Sequence, residues 1–559
     1  MKKRIWLGAT ALVIAAGVGV AAMNRPAILS MVARARMPQV EPNRPVTWAH
    51  GPIAPVPGER PPNVVFILAD DLGFNDITLN GGGVAGGVVP TPNIDSIARD
   101  GVDFVNGYAG NATCAPSRAA LMTGRYPTRF GFEFTPAPVA FAKLVGTEAE
   151  PDSIIKPKFF GDRVKDMPPG STARAPTAVN TLSVPTSELT IAEVLKTRGY
   201  HTIHLGKWHL GGAEGSRPEA QGFDESLGFI AGGSMFLPEK APDVVNAKQP
   251  WDPIDRFLWP NLPYQVQYNN SAMFAPKGYM TDYLTDEAVS AIKANRNRPF
   301  FLYYAPNAIH TPLQATKADY DALPQIADHR LRVYGAMVRN LDRNVGRVLQ
   351  ALKDEGLDEN TLVIFTSDNG GAGYVGLADV NRPYRGFKST FFEGGIHAPF
   401  FMRWPGAIQP GSRYANPVSH IDIFATAAGA AGAALPKDRV IDGVDLVPYL
   451  QGKASGRPHQ TLFWRSGQYR AVRDGDWKLQ SNGARGKVWL HDLAADPTEQ
   501  RDLSKARPDK VAALQTLLRE QDAQAAKPIW PSLLQGPVFI DHPSGQPQKA
   551  GEEYILWDN

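Results

Sequence analysis

Asp70 and Asp71 stand side by side directly after one unbroken apolar run, and Asp368 and Asn369 directly after another. Three carboxylates and an amide oxygen make a hard, oxygen-rich donor set, which suits Ca²⁺ or Mg²⁺ better than zinc, a metal that prefers nitrogen and sulfur. Adjacent Asp residues also serve in turns and helix caps. The second motif after a second apolar run is what points to a metal site. Lys207-Trp208-His209 and His310 follow further runs of this kind, and Lys388 precedes another. Cys114 opens Cys114-Ala115-Pro116-Ser117-Arg118. Pro116 suits the first turn of a helix, and Thr123-Gly124-Arg125 ends that stretch. Cys114 is therefore expected at the positive end of a helix dipole, beside Arg118, where an anionic ligand or nucleophile is favoured. Cys114 is the one cysteine, so no disulfide forms within the chain. On position alone it reads as a buried, inert thiol.

Apolar runs at 64–69 and 362–366 have the pattern of strands buried on both faces, and 299–304, 202–205 and 398–403 read as further strands. Helices lie between them. Thr190 and Glu193 form a capping box, and Gly199 closes that helix. Across 331–352, apolar residues recur every three or four positions, which predicts a long amphipathic helix on a sheet. Strands alternating with helices imply an α/β fold with a large, mostly parallel sheet. Ligands of such sheets bind beyond the carboxyl ends of the strands, the edge at which the polar residues above recur.

The sequence has 559 residues, 43% apolar and 20% charged, which excludes a disordered, collagen-like or coiled-coil chain. The net charge is +3, of which Lys2, Lys3 and Arg4 supply three; a chain without them has no basic field for nucleic acid. These basic residues, the uncharged apolar stretch to Met23 and the small residues Val20-Ala21-Ala22 have the layout of a secretory signal over residues 1–22. The same run is long enough to be an anchor, so membrane association is expected only if it stays uncleaved. The reading is export to a periplasmic or extracellular space. Residues 23–60 read as a Pro-rich linker, 61–450 as the catalytic domain and 451–559 as a small antiparallel sheet with a helix. Two loop-rich stretches, 133–187 and 229–280, are candidate lids or binding walls.

Cys114-Ala-Pro-Ser-Arg118, with Thr123-Gly124-Arg125 following, resembles the signature of the type I sulfatases of the alkaline phosphatase superfamily. Asp70-Asp71, Gly206-Lys207-Trp208-His209 and Ser367-Asp368-Asn369-Gly370 occur in that family's order, and the resemblance spans roughly residues 60–450. It implies that a maturation enzyme oxidises Cys114 to Cα-formylglycine, whose hydrate is the nucleophile. It also implies that Asp70, Asp71, Asp368, Asn369 and residue 114 hold one divalent cation, usually Ca²⁺. Arg118 would support the diol, and Asp368 could take its proton. Lys207 and Lys388 would bind sulfate oxygens, His209 would contact the second hydroxyl, and His310 would protonate the leaving alcohol. The second hydroxyl is what then expels sulfate and restores the aldehyde, a step a simple serine could not make.

The expected activity is arylsulfatase-type hydrolysis of a sulfate monoester, borne by a small molecule or a carbohydrate. Two other functions share these residues. One is phosphomonoester, phosphodiester or phosphonate hydrolysis on the same scaffold, which fold analogy does not separate. The other is a non-catalytic binding protein of the cell envelope, against which the intact catalytic residues argue. His204 reads as a core histidine, His420 and Asp422 as helix caps, and Asp342 and Arg343 as surface or packing groups. Many relatives carry Arg where His397 stands, which leaves its contact with substrate open. Trp251, Trp259, Tyr264 and Phe274 read as an aromatic binding wall or as core.

Overall fold

The computed structural model describes residues 39–55, 60–147, 153–171 and 181–559. The expected leader at 1–22 and parts of the 133–187 stretch lie outside the described residues. Among these residues no helix is long and apolar enough to cross a membrane.

The central sheet contains β1 (Asn63–Ala69), β2 (Val102–Phe104), β3 (His201–Lys207), β4 (Glu225–Phe229), β5 (Gln267–Tyr268), β6 (Phe300–Ala305), β7 (Thr361–Ser367), β8 (Phe400–Arg403) and β9 (Ser412–Tyr414). The nine strands run in the order β9-β2-β8-β7-β1-β6-β3-β4-β5. From β7 to β4 every pairing is parallel, and β8 and β5 pair antiparallel on either side of that block. β1, β6 and β7 are buried along their whole length, as their unbroken apolar runs require. Antiparallel β8 explains why Lys388 precedes its strand while the other polar groups follow theirs: entering from the opposite direction, it still starts at the shared edge.

Helix His329–Asp354 lies against the sheet with Val338, Leu341, Val345 and Val348 fully buried, the face that the apolar spacing predicts. The Thr190 capping box is present: its hydroxyl accepts from Glu193 N at 3.3 Å and its own N donates to Glu193 Oε2 at 2.7 Å. Asp342 is more than a packing group. Its carboxylate accepts from Asn93 N at 3.0 Å and Ile94 N at 2.9 Å, and so caps helix Pro92–Arg99 from another element.

Three stretches depart from a loop-and-linker reading. Residues 39–55 are bound to the body, with Trp48 buried and its Nε1 donating to Glu287 at 2.8 Å. The 133–187 stretch contains helix Val139–Thr147 and a strand, Lys158–Phe159. The 229–280 stretch contains helix Pro253–Asn261, capped by Asp252. The C-terminal part holds two antiparallel sheets. Strands Thr461–Ser466 to Lys487–Asp492 form one, against helix Pro508–Asp522, and Leu534–Phe539 with Tyr554–Asp558 recruits Lys158–Phe159 to form the other.

The four-stranded sheet is fixed to the body that carries the central sheet by buried charge. Lys478 Nζ lies 2.6 Å from Glu393 Oε1 and 3.1 Å from Glu499 Oε1, and all three side chains are buried. Tyr108 Oη donates to the other oxygen of Glu393 at 2.8 Å, and Glu499 Oε2 accepts the Glu393 backbone N–H at 2.6 Å. Removing the ammonium would leave two carboxylates facing each other without water. Lys478→Met is expected to destabilise the protein by about 3–5 kcal/mol, read as a lower Tm and denaturation midpoint. An unchanged midpoint would contradict the assigned role.

Candidate functional site

Parallel pairing of β1 with β7 sets Ala69 beside Ser367, so the residues that leave the two strands emerge together. Asp368 N donates to Ala69 O at 3.1 Å, and Asp71 N points at Asp368 Oδ1 at 3.3 Å. Asp71 turns in the left-handed region at φ 62°, as do His209 at 59° and Ser389 at 76°. Strained backbone of this kind is held only where the surroundings over-determine it, and it gathers at functional sites.

Cys114 begins helix Cys114–Thr123, which ends on Gly124 at φ 66°, a C-terminal conformation that favours glycine. The helix starts at the cysteine itself. The thiol therefore sits in the first turn, among unpaired backbone N–H groups and the positive end of the dipole. Its Sγ is 3.1 Å from Lys388 Nζ, 3.7 Å from Asp70 Oδ1 and 3.9 Å from Asp71 Oδ1. One turn on, fully buried Arg118 donates through Nε to Asp368 Oδ2 at 2.9 Å and through Nη1 to Lys207 O at 2.8 Å.

The lysines close the charge balance. Lys207 Nζ bridges both Asp70 oxygens at 2.9 and 2.6 Å. Lys388 Nζ contacts Asp71 at 2.7 Å. His310 Nδ1 is held against Thr311 O at 2.6 Å, and its Nε2 lies 3.8 Å from Asp71 Oδ2. Cys114, His209, His310 and Lys388 line one cleft, whereas Asp70, Arg118 and Lys207 lie wholly buried beneath it. All ten residues singled out from the sequence thus converge on one place.

Burial and the Asp70 charge push Asp368 up to about 6 despite Arg118. Burial also opposes the charge on Asp71, but Lys388, His310 and Lys207 outweigh it and hold that carboxyl below the usual range. Burial and Asp368 work against the Cys114 thiolate, yet Lys207 and Lys388 bring the thiol below its ordinary value. Burial, reinforced by Lys207 and Arg118, pushes the His209 imidazole well below its ordinary value.

Two tyrosines complete the site without having been singled out. Tyr374 Oη donates to Asp71 Oδ2 at 2.7 Å and lies 3.3 Å from Lys388 Nζ, and Tyr303 Oη lies 3.3 Å from Arg118 Nη1. Tyr303 belongs to the buried strand β6, a weak signal in an apolar run; Tyr374 stands in a single 3-10 turn, Gly373–Val375, with no signal at all. The residues left open fall elsewhere. Both nitrogens of His397 are engaged, Nδ1 with Glu393 at 2.9 Å and Nε2 with Val105 O at 2.8 Å, and its ring stacks on Tyr384, so it is structural. His204 is a core residue bonded to Ser226. His420 bridges Ser117 and Thr366 inside the core, and Asp422 accepts from Ser419 N at 2.8 Å. Trp251, Trp259, Tyr264 and Phe274 do not line the cleft: Trp259 bonds Asp255, Phe274 is fully buried in the core, and the wall is made by other rings.

The donor set fits a hard divalent cation. Asp70, Asp71, Cys114 and His310 offer atoms within 4.8 Å of one another, and Asp368 and Asn369 adjoin them. Asn369 donates through Nδ2 to Asp71 Oδ1 at 2.8 Å, which leaves its buried Oδ1 without a partner, an oxygen of the type such a cation takes.

A family model described as Sulfatase matches residues 62–433, and one described as N-sulphoglucosamine sulphohydrolase, C-terminal, matches 386–527. The N-acetylgalactosamine-6-sulfatase of Mus musculus is 34% identical over 427 residues, covering 75% of this chain and 72% of that protein. The steryl-sulfatase of Mus musculus is 34% identical over 492 residues, covering 77% of this chain and 71% of its own. The crystal structure of Ps i-CgsB in complex with k-i-k-neocarrahexaose superposes with a TM-score of 0.68 at 30% identity, covering 84% of this chain and 95% of the other.

A cation that binds the folded site alone must stabilise it. At a hundredfold excess over Kd, Ca²⁺ is expected to add about 2.7 kcal/mol, measured as a raised denaturation midpoint. Asn369→Leu, which removes the unpartnered oxygen, is expected to lose much of that gain. A wild-type midpoint indifferent to Ca²⁺ and Mg²⁺ would contradict the fit.

Proposed function

The chain belongs to the sulfatase family and is a sulfuric ester hydrolase, and from that premise we propose that its reaction centre is residue 114, matured from Cys114 to formylglycine. The observation that carries this is the placement of the thiol at a helix N-terminus, on the floor of a cleft, against Lys388 and the Asp70-Asp71 pair.

The matured side chain would supply the attacking oxygen, and a divalent cation, Ca²⁺ by our reading, would supply charge compensation if held by Asp70, Asp71, Asp368, Asn369 and residue 114. The remaining work falls to the chain's own groups. Arg118 fixes Asp368 through a 2.9 Å bond, so that a carboxylate oxygen stands ready to accept a proton near residue 114. Lys207 and Lys388 carry the positive charge that draws the sulfate oxygens to the floor, and their burial makes that attraction stronger than it would be in water. His310 donates its Nδ1 proton to the Thr311 carbonyl, so any proton on Nε2 belongs to the imidazolium and is free to go to the leaving oxygen. His209, on the same cleft wall, would take the proton that the second hydroxyl of residue 114 gives up.

The relatives' names carry both a sugar sulfate and a steryl sulfate, so they leave the alcohol open. A separate maturation enzyme is a necessary partner of this reading. Export rests on the basic and apolar N-terminal residues; fusing residues 1–22 to a reporter would deliver it outside the cytosol if the reading holds.

Cys114→Ala is expected to abolish turnover of aryl sulfates while leaving the fold intact. His310→Asn is expected to lower kcat by about 10²–10⁴ on alkyl sulfates and far less on nitrophenyl sulfate, whose leaving group needs no proton. An equal loss on both esters would remove His310 from the leaving-group side. Faster turnover of aryl phosphate than of aryl sulfate would favour the phosphatase alternative.

A further inference from the structure

The cleft above Cys114 has a volume of about 470 Å³, within the range that encloses a single drug-sized body. Its floor is charged, and its walls are mostly apolar, with polar side chains such as Asn261, Gln267, Gln546 and Gln548 between the rings. Phe141 of helix Val139–Thr147 and Phe257 of helix Pro253–Asn261 meet edge to face with centroids 5.1 Å apart. Phe229, at the end of β4, lines another side, with Val538 and Trp557 from the C-terminal hairpin. That hairpin lies beyond both family matches, which end at residues 433 and 527, and its pairing with Lys158–Phe159 ties it to the insertion that carries Phe141.

Charge is sparse on these walls. Among the described lining residues, Lys388 and Arg217 are the lysine and arginine side chains; Lys388 belongs to the floor, and Arg217 Nε bonds Gly212 O at 3.3 Å. A body bearing several sulfates or carboxylates meets no row of cations here. Against the rings of Phe141, Phe229 and Phe257 a sugar would lose water from its hydroxyls, whereas an apolar ring system gains by the same burial. Among the described lining residues, two buried side-chain atoms lack a partner, His209 Nδ1 beside the floor and Gln265 Oε1 on the wall, the latter an acceptor suited to a lone hydroxyl on an otherwise apolar body.

We propose that the enzyme is selective for sulfate esters of hydrophobic, ring-containing alcohols or phenols, and that the C-terminal hairpin, through Val538 and Trp557, is a specificity-determining wall of the leaving-group site. This rests on the sulfatase reading and adds to it the class of alcohol.

The test compares kcat/KM for naphthyl sulfate, phenyl sulfate and galactose 6-sulfate, using matured wild-type enzyme and its Phe257→Ser and Trp557→Ser variants. Wild type is expected to prefer naphthyl sulfate over the hexose ester by roughly 100-fold. Each variant is expected to lose about tenfold on naphthyl sulfate and to stay within about twofold on phenyl sulfate, which also certifies that it folds. A hexose ester turned over as well as the naphthyl ester would overturn the proposal, as would parallel losses on both aryl esters. If a variant fails to fold, the wild-type ranking decides alone. Turnover of none of the three esters by matured wild type would overturn the sulfatase reading and this proposal together.

Discussion

Asp70, Asp71 and Asp368 are taken out of water at the ends of neighbouring strands, and a carboxylate in that position is tolerated only with charge or hydrogen bonds around it. The structure answers with Lys207 on Asp70, Lys388 on Asp71 and Arg118 on Asp368, each within 3 Å. Much of the architecture follows from keeping these groups together. The β1–β7 register delivers the acids, β3 delivers Lys207, and the helix start delivers Cys114 and Arg118 on one face. The loop with Lys388 is anchored from behind by Glu393, Lys478 and Glu499. A shift of β7 by one residue would turn Asp368 to the other face of the sheet and leave Arg118 buried without its partner.

The carboxylates that the lysines contact are also those proposed to hold a cation. A divalent ion there would relieve the acids of their dependence on lysine, and the ammonium groups would then be available to an anion in the cleft. Metal affinity and sulfate affinity are on this view two aspects of one charge balance.

The site was legible because it is built from short local motifs, each placed by an element whose own signal was strong. An apolar run ending in Asp-Asp, or a Pro-led turn after a cysteine, carries both its structure and its chemistry in a few residues. The sheet followed from the same runs. What stayed hidden depends on contacts between distant segments. Tyr374 reaches Asp71 across 303 positions and has no periodic neighbours to mark it. Asp342 caps a helix some 249 positions away. The wall of the cleft joins residues near 141, 257 and 557. The aromatic residues that were conspicuous in sequence, Trp259 and Phe274 among them, are used for packing, because a large ring that can be buried in the core gains most there.

Reaction and selectivity are therefore carried by different parts: the floor by the buried charge cluster at the sheet edge, the walls by insertions and a C-terminal hairpin. The central claim concerns the floor, and the most direct test varies the state of residue 114. Preparations made with and without co-expressed maturation enzyme would be analysed by mass spectrometry of the Cys114 peptide, and their aryl sulfatase rates plotted against the fraction converted to the aldehyde. A straight line through the origin is the predicted result. A full rate from enzyme whose thiol is entirely intact would contradict the account.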